Sequence, residues 1–392
     1  MQPDQSQPTR SAAPLVFLCG GSALNETATI LAKHIPATYI ITTFDSGGST
    51  RTLRKALPIP AVGDIRSRLV ALADTSQPDI AALSAVLHCR LSSSSHTETV
   101  QSQFAAITLG THPALEEVRP DHAGKIAASL NHFATIAPPG FTWEEACIGN
   151  LVLAADYFAC GKQLKPAVTR WAEILHCRGQ ILPVSKTPLA HLAVRLKNGQ
   201  TLVGQHRFTG KWHAPITSPI EALWLARDRG RPYPMTAQIE DGVEESLTNA
   251  GAIVYPMGSF FSSVACNLLV PGVGRAIAGA CGPRIFVPNP GYDPELYGTS
   301  LKDQINFLLK LLRQDAPGAP TNSLLDTVIV DRANGQYQGG IPDTWCRNLG
   351  ISVLNAPLLS LARKKAATTP FPLVDGRRLA RTLQKICAKP QN

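Results

Sequence analysis

Leu15-Val16-Phe17-Leu18-Cys19-Gly20-Gly21-Ser22 is the stretch that decides the fold class. Five apolar residues run into two glycines, and Leu24, Ala28, Leu31 and Ile35 then recur at helical spacing, so the segment predicts strand, tight turn and helix. Thr38 to Phe44 is β-branched and aromatic, and predicts a second strand after an interval that suits a right-handed parallel crossover. A βαβ unit opens the chain. Short apolar runs at Ala252 to Tyr255, Arg284 to Val287, Asp326 to Val330 and Ile351 to Leu354, separated by helical patterns, continue the rhythm of a parallel sheet. Leu192 to Leu196 and Thr201 to Val203 alternate about Asn198-Gly199, a dipeptide that favours a type I′ turn, and predict an inserted β-hairpin. The fold class is therefore α/β with a mostly parallel sheet.

Between these strands, a helix is expected from Thr50 to about Leu57, stopped by Pro58 and Pro60, and Ile65, Leu69 and Leu72 mark another after Gly63-Asp64. Serine-rich and threonine-rich residues 90–100 predict an exposed loop, and Trp143 to Phe158 a buried helix. No charge occurs between Glu245 and Arg275, a length that could span a bilayer, but Pro256, Pro271 and several glycines, serines and asparagines interrupt it, so buried strand, loop and helix are expected. No internal repeat is visible, and no clear linker precedes residue 361.

The 392 residues allow one large α/β domain or two moderate ones, and 44% apolar with 17% charged residues excludes a disordered chain. Of the formal charge of +9, most lies in residues 361–392, where eight basic residues face Asp375 alone. Such a tail could meet RNA, an anionic membrane or an acidic protein. A solvated amphipathic helix explains it better, because Leu379, Leu383 and Ile386 form a stripe behind a cap at Asp375 and no aromatic residue interleaves after Phe371. Nucleic acid and membrane are thus not expected partners. Nine cysteines are scattered without a C-x-x-C pair, and most read as small buried residues of a reducing compartment, while the adjacent pairs His88-Cys89 and His176-Cys177 lack zinc spacing. The polar first dozen residues show no secretory pattern, so the expected location is cytoplasmic.

Three segments could carry chemistry. Gly20, Gly21 and Ser22 could turn backbone N–H groups and a helix N-terminus toward a phosphate, although any α/β domain uses such turns and a full G-x-G-x-x-G is absent. Asp45, Ser46, Gly47, Gly48, Ser49 and Thr50 place a carboxylate, flexible backbone and hydroxyls in one loop ahead of Arg51 and Arg54, and Asp64 follows nineteen residues later. Two acids on two glycine-containing turns suggest a metal-assisted phosphate site, with Mg²⁺ as the ion, because it needs few protein carboxylates and takes phosphate oxygens and water for the rest. Either loop alone reads as readily as a turn, with Asp64 an N-cap. Gly258, Ser259 and Ser263 repeat the pattern between a strand and an apolar helix that carries Asn267, where the plainer account is helix capping by Ser262 and Ser263. No serine has the G-x-S-x-G setting, and no histidine sits in a motif that would activate a cysteine.

Taken in order, six segments resemble the CofD/YvcK-like superfamily of 2-phospho-L-lactate transferases and gluconeogenesis factors, including CofD-like proteins of bacterial "GAK" gene clusters. They are L-C-G-G-S-A-L from Leu18, F-D-S-G-G-S-T-R-T-L-R from Phe44, G-D-I-R-S-R-L-V-A-L-A-D from Gly63, I-G-N-L from Ile148, R-G-Q-I-L-P-V from Arg178 and M-G-S-F-F-S-S-V-A-C-N-L-L-V-P-G-V from Met257. The resemblance implies a Rossmann-like three-layer α/β/α core over residues 14–360, after a disordered N-terminus at 1–13 and before a basic helical segment at 361–392. It implies Asp45 and Asp64 as catalytic metal ligands for Mg²⁺. It implies a nucleotide diphosphate or nucleotide-sugar ligand held by Gly20, Gly21, Ser22, Gly47, Gly48, Ser49, Arg54, Asn150, Gly258, Ser259, Ser263 and Asn267. A homo-oligomer stays open. The sequence departs from the family at Ala23, where a glycine is usual, at Ser46, where a second acid is common, and at Ala146, where a histidine often stands.

Two functions follow as expectations. One is a Mg²⁺-assisted transferase that moves a phospho-linked group from a nucleotide diphosphate donor to an alcohol. The other is a regulatory module that binds a nucleotide-sugar or dinucleotide without turnover. A nicotinamide-dependent oxidoreductase is a third reading, with Asp45 on a ribose hydroxyl, and the missing third glycine disfavours it.

Overall fold

A computed structural model describes residues 13–93, 97–211, 213–227, 230, 232–360 and 373–387. Numbered in chain order, β1 (Leu15–Cys19), β2 (Ala37–Ile41), β3 (Gln180–Pro183), β7 (Ala252–Tyr255), β8 (Arg284–Phe286), β9 (Thr327–Val330) and β10 (Ser352–Asn355) form one parallel sheet in the order β10-β9-β8-β7-β1-β2-β3. Leu15, Phe17 and Cys19 enter one core and Val16 and Leu18 the other, as the two-residue period of a strand requires. Both faces are covered, which explains why β1 is a continuous apolar run instead of an alternating one.

One face carries α1 (Asn25–Leu31), α2 (Gly48–Ala56), α3 (Gly63–Leu72), α4 (Pro78–His88), α5 (Thr97–Thr108), α6 (Pro120–Ile136), α7 (Ile148–Ala159), α8 (Leu164–Ile174) and α13 (Gly376–Cys387). The other carries α9 (Val243–Thr248), α10 (Val273–Gly279), α11 (Leu301–Asp315), α12 (Asp343–Asn348) and an antiparallel sheet β5-β4-β6 made of β4 (His191–Leu196), β5 (Thr201–Val203) and β6 (Ile220–Ala226). This is a Rossmann-like α/β/α arrangement with an inserted antiparallel sheet.

The chain runs outward from β1 through β2 to β3, then returns to β7 on the other side of β1 and runs outward through β8 and β9 to β10. The direction of winding reverses there, and loops leaving the carboxyl ends of β1 and β7 must diverge. A crevice opens at that point.

Several local expectations are corrected. In the hairpin only Gly199 has positive φ (+86°), with Gly199 N donating to Leu196 O and Leu196 N to Gln200 O. It is a three-residue turn with a glycine bulge, not type I′, because Lys197 adds a turn residue and Asn198 spends its side chain accepting from Gln200 N. The loop expected at 90–100 ends early, since α5 starts at Thr97; residues 94–96 lie outside the described residues. The helix expected from Trp143 starts only at Ile148, and Trp143 instead packs edge-on against Phe133 and Phe141. Asp64 lies inside the first turn of α3, behind an N-cap at Val62. Of the expected N-terminal segment 1–13 only Ala13 is described, and residues 361–372 and 388–392 of the basic segment also lie outside the described residues.

Among the described residues no single helix is long and apolar enough to cross a membrane. The uncharged stretch becomes β7, a π-turn at Phe260–Val264, a 3-10 turn at Ala265–Leu269 and α10, nearly all buried.

Candidate functional site

A cleft of about 1080 Å³ occupies the crevice at the carboxyl ends of β1, β2 and β7. Three turns build it, one after each strand. At the first, Gly21 has φ +61°, and a Cβ on Gly20 would lie 2.6 Å from Thr42 Cγ2, 3.0 Å from Asp64 Oδ2 and 3.2 Å from Ser263 Cα. Only glycine lets the end of β1 come so close to the other turns. At the third, Gly258 has φ +140°, and its missing Cβ would sit 3.7 Å from Ala23.

The second turn holds Asp45, and the start of α3 brings Asp64 against it. Asp45 Oδ1 accepts from Gly47 N at 3.0 Å, while Arg54 beneath it donates to the carbonyl oxygens of Asp45 (2.8 Å), Phe44 (3.3 Å), Ile59 (3.3 Å) and Ala190 (2.6 Å). Ser49 Oγ accepts from Cys147 N at 3.0 Å and from Asn150 Nδ2 at 3.3 Å, which ties α2 to the start of α7. Arg66 Nε donates to Asn150 Oδ1 at 3.4 Å and so brings α3 into the same network. A Cβ on Gly63 would collide with Thr50 and lie 3.7 Å from Asp45 Oδ2, so the start of α3 presses against the Asp45 loop.

Asp45 and Asp64 thereby share one wall. Burial pushes the Asp45 carboxyl well above the ordinary carboxylate range, and the neighbouring Asp64 adds to the rise. Asp64 is also raised, mainly by burial, against the Gly21 N–H and the charges of Arg68, Lys211 and Arg66. Arg68 is buried behind it, 5.0 Å above the Tyr39 ring. Two neighbouring acids on one cleft wall resist joint ionisation until a cation arrives. Lys211, exposed on the cleft rim after β5, is a cation felt by Asp45, Asp64 and Asp293.

Of the residues singled out from the sequence, Gly20, Gly21, Ser22, Asp45, Gly47, Gly48, Ser49, Asp64, Asn150, Gly258, Ser259 and Ser263 line the cleft. Arg54 and Asn267 do not. Arg54 braces the Asp45 loop from below, and Asn267 is fully buried with Nδ2 donating to Ser263 O at 2.9 Å. Ser262 and Ser263 cap nothing; instead Phe261 N (3.0 Å) and Ser262 N (2.9 Å) donate to Glu295 Oε2, and Phe260 N donates to Asp293 Oδ2 at 3.1 Å. Two buried acids therefore set the shape of the third turn, and no sequence motif announced them. Gln205, His206, Thr209 and Lys211 also line the cleft and were missed, because they come from the antiparallel insertion and carry no motif. Glu26, Leu373 and Val374 complete one rim.

The family model for 2-phospho-L-lactate transferase CofD matches residues 15–348. The chain belongs to the CofD family. It is similar to the gluconeogenesis factor of Bacillus subtilis, 25% identical over 259 residues, which covers 66% of this chain and 62% of that protein. A Deinococcus radiodurans protein provisionally given the same name is 28% identical over 300 residues, 76% of this chain and 51% of its own length. The chain thus spans about half to two-thirds of these relatives. A crystal structure of a UPF0052-family protein from Bacillus halodurans aligns with TM-score 0.67 at 18% identity, over 95% of this chain and 98% of that one, and shows the same fold.

Ala23, Ala146 and Ser46, singled out from the sequence, have distinct surroundings. Ala23 lines the cleft beside Gly258. Ala146 is buried ahead of α7, where its carbonyl accepts from Leu91 N. Ser46 is fully buried, with Oγ 3.0 Å from His206 Nδ1, so the insertion brings a histidine to the cleft by another route.

Proposed function

We propose that the cleft binds the diphosphate of a nucleotide-linked donor with Mg²⁺, and that the protein moves a phospho-linked group from this donor to an alcohol, as a 2-phospho-L-lactate transferase-like enzyme. The observation that carries this is the meeting of Asp45 and Asp64, one after β2 and one in the first turn of α3, with three glycine-containing turns at the point where the sheet reverses its winding. The residues fit the ion. Two raised carboxyls supply hard oxygen ligands and an unmet demand for positive charge, and Mg²⁺ needs few protein ligands when phosphate and water fill the rest of its shell. When bound it would neutralise phosphate oxygens.

The chain's own groups would do the remainder. Backbone N–H groups of the Gly258 turn and the N-terminus of α2 would meet anionic oxygens, and the exposed Lys211 adds a positive charge at the rim. Displacement at phosphorus needs alignment and charge neutralisation more than covalent help. The acceptor oxygen forms the new P–O bond, the bond to the nucleotide's own phosphate breaks, the nucleotide leaves with that electron pair, and the hydroxyl proton passes to water. Nine unpaired thiols agree with action in a reducing cytoplasm.

A second reading, a nucleotide-sugar-binding regulator without turnover, is favoured by Ser46, which places a hydroxyl engaged by His206, and not a further carboxylate, beside Asp45. Thermal melts of the full chain with nucleoside diphosphates and nucleotide-sugars, with and without Mg²⁺, test both. The expected result is stabilisation that grows with Mg²⁺ and, in Asp45→Asn, an affinity at least tenfold weaker, about 1.4 kcal/mol. Release of nucleoside monophosphate on adding an alcohol supports the enzyme, and stabilisation without product supports the regulator. Unchanged Mg²⁺ dependence in Asp45→Asn would exclude the metal site.

A further inference from the structure

Arg66 lines the cleft from the start of α3 and is 9% exposed. Its stem runs over Gly149, where a Cβ would lie 2.7 Å from Arg66 Cγ and 3.1 Å from Cδ, so the glycine at the start of α7 makes room for it. Two of its nitrogens are already engaged. Nε donates to Asn150 Oδ1 at 3.4 Å, and Nη1 lies 2.8 Å from Nδ1 of His88, the last residue of α4. Nη2 has no hydrogen-bond partner among the described residues, and His88 itself is not among those that line the cleft.

The contact between Arg66 and His88 fixes a protonation state as well as a distance. A guanidinium only donates and keeps its charge, so Nδ1 of His88 must be the accepting lone pair. The ring is therefore a neutral imidazole with its proton on Nε2. Burial and the charges of Arg66 and Arg90 keep it so, holding its pKa below the ordinary histidine value. Arg90 also lines the cleft and donates from Nη1 to Glu145 O at 2.9 Å. A neutral acceptor is the form of histidine that can rest against a cation without repelling it. The plainer account is a strut between α3 and α4, but those helices already share the core through Ile65, Leu69, Ile80 and Leu83. What the bond adds is a fixed direction for Arg66.

We propose that His88 is a positioning residue of the cleft, whose neutral imidazole holds the Arg66 guanidinium so that Nη2 meets a phosphate oxygen of the bound diphosphate. The proposal rests on the phosphate-binding function above and adds how one cation of that site is aimed. A long side chain loses rotamer freedom when it grips a ligand, and one already held in place loses less. The planar fork of arginine suits this, because its donors keep a fixed relation to one another.

The test titrates pyrophosphate with Mg²⁺ into the full-length wild type, into His88→Leu, which has no acceptor, and into His88→Asn, whose amide oxygen can replace Nδ1. His88 is exposed, so melting temperatures without ligand should differ little among the three. His88→Leu should bind roughly two- to tenfold more weakly, the worth of one hydrogen bond, and His88→Asn should recover most of that loss. The same two substitutions in an Arg66→Gln background should change affinity no further, because the effect passes through Arg66. Wild-type affinity in His88→Leu, equal weakness in both His88 variants, or an undiminished effect in the Arg66→Gln background overturns the positioning role while leaving the proposed function intact. If pyrophosphate with Mg²⁺ does not bind the wild type, the proposed function fails and the positioning role falls with it.

Discussion

A methyl group at Gly20 has nowhere to go. It would press on Thr42, on an oxygen of Asp64 and on the backbone of Ser263, and the last of these cannot rotate away. Gly20→Ala should therefore cost about 1–3 kcal/mol, as overpacking in tight cores does, and should weaken pyrophosphate binding by separating the first and third turns. Denaturant melts and calorimetric titration of the variant would check both effects; wild-type values in both would show that the turns are less tightly coupled than these contacts require. Arg54 makes the complementary point. The sequence suggested a ligand contact, but four carbonyl oxygens occupy its guanidinium. Arg54→Met leaves those buried acceptors unpaired and should destabilise the fold by about 2–4 kcal/mol, while adding phosphate should restore nothing. Neither role was readable from the sequence, because Gly20 meets Thr42, Asp64 and Ser263 across the fold, and Arg54 turns inward onto the carbonyls of its own loop and of Ala190 only once the chain has folded.

At the scale of elements, the stripe Leu379, Leu383 and Ile386 and the acid at Asp375 were legible because a helix's period and cap are local. Asp375 Oδ1 does accept from Arg377 N (3.0 Å) and Arg378 N (3.1 Å). What α13 packs on was not legible. It lies along α1, and Gly376 N donates to Glu26 Oε2 at 3.1 Å. The segment that leads into α13 brings Leu373 and Val374 to the cleft rim beside Glu26. Leu383 is fully buried, so Leu383→Ala should cost about 2–5 kcal/mol. It should also loosen the rim, so ligand affinity falls with stability; loss of stability with unchanged affinity would show that α13 only covers the core. The hairpin and the Trp143 segment show the limit of local pattern. Asn198-Gly199 marks a turn, but turn type depends on how many residues the strands leave between them. Trp143 has the hydropathy of a helix and is used instead in an aromatic cluster with Phe133 and Phe141.

Across the whole molecule, the sheet gathers two sets of raised carboxyls, Asp45 with Asp64 and Asp293 with Glu295, all raised chiefly by burial. A raised carboxyl binds its proton more tightly folded than unfolded. The stability this contributes is complete below the unfolded carboxylate range near pH 4 and is lost as pH rises through the folded values. The metal-free protein should therefore melt at progressively lower temperature from weakly acid toward alkaline pH, and Glu295→Gln should flatten that decline. Because Mg²⁺ competes with protons for Asp45 and Asp64, its stabilising effect should grow over the same range. Melting curves at several pH values, with and without Mg²⁺, would reveal a flat profile if the carboxyls are in fact freely solvated.

The sequence by itself determined eight of the ten strands named above, all but β3 and β6, together with the βαβ opening, the inserted antiparallel pair and the acids and glycines that face the cleft. These follow from periodicity and from residue types whose backbone demands are local. Tertiary structure alone decided that β7 returns beside β1, that Lys211 and His206 reach the cleft from the insertion, and that Asp293 and Glu295 hold the third turn. The physical reason is that a sheet's strand order is set by the burial of two whole faces. No window of sequence contains that quantity, and the crevice exists only where the order reverses.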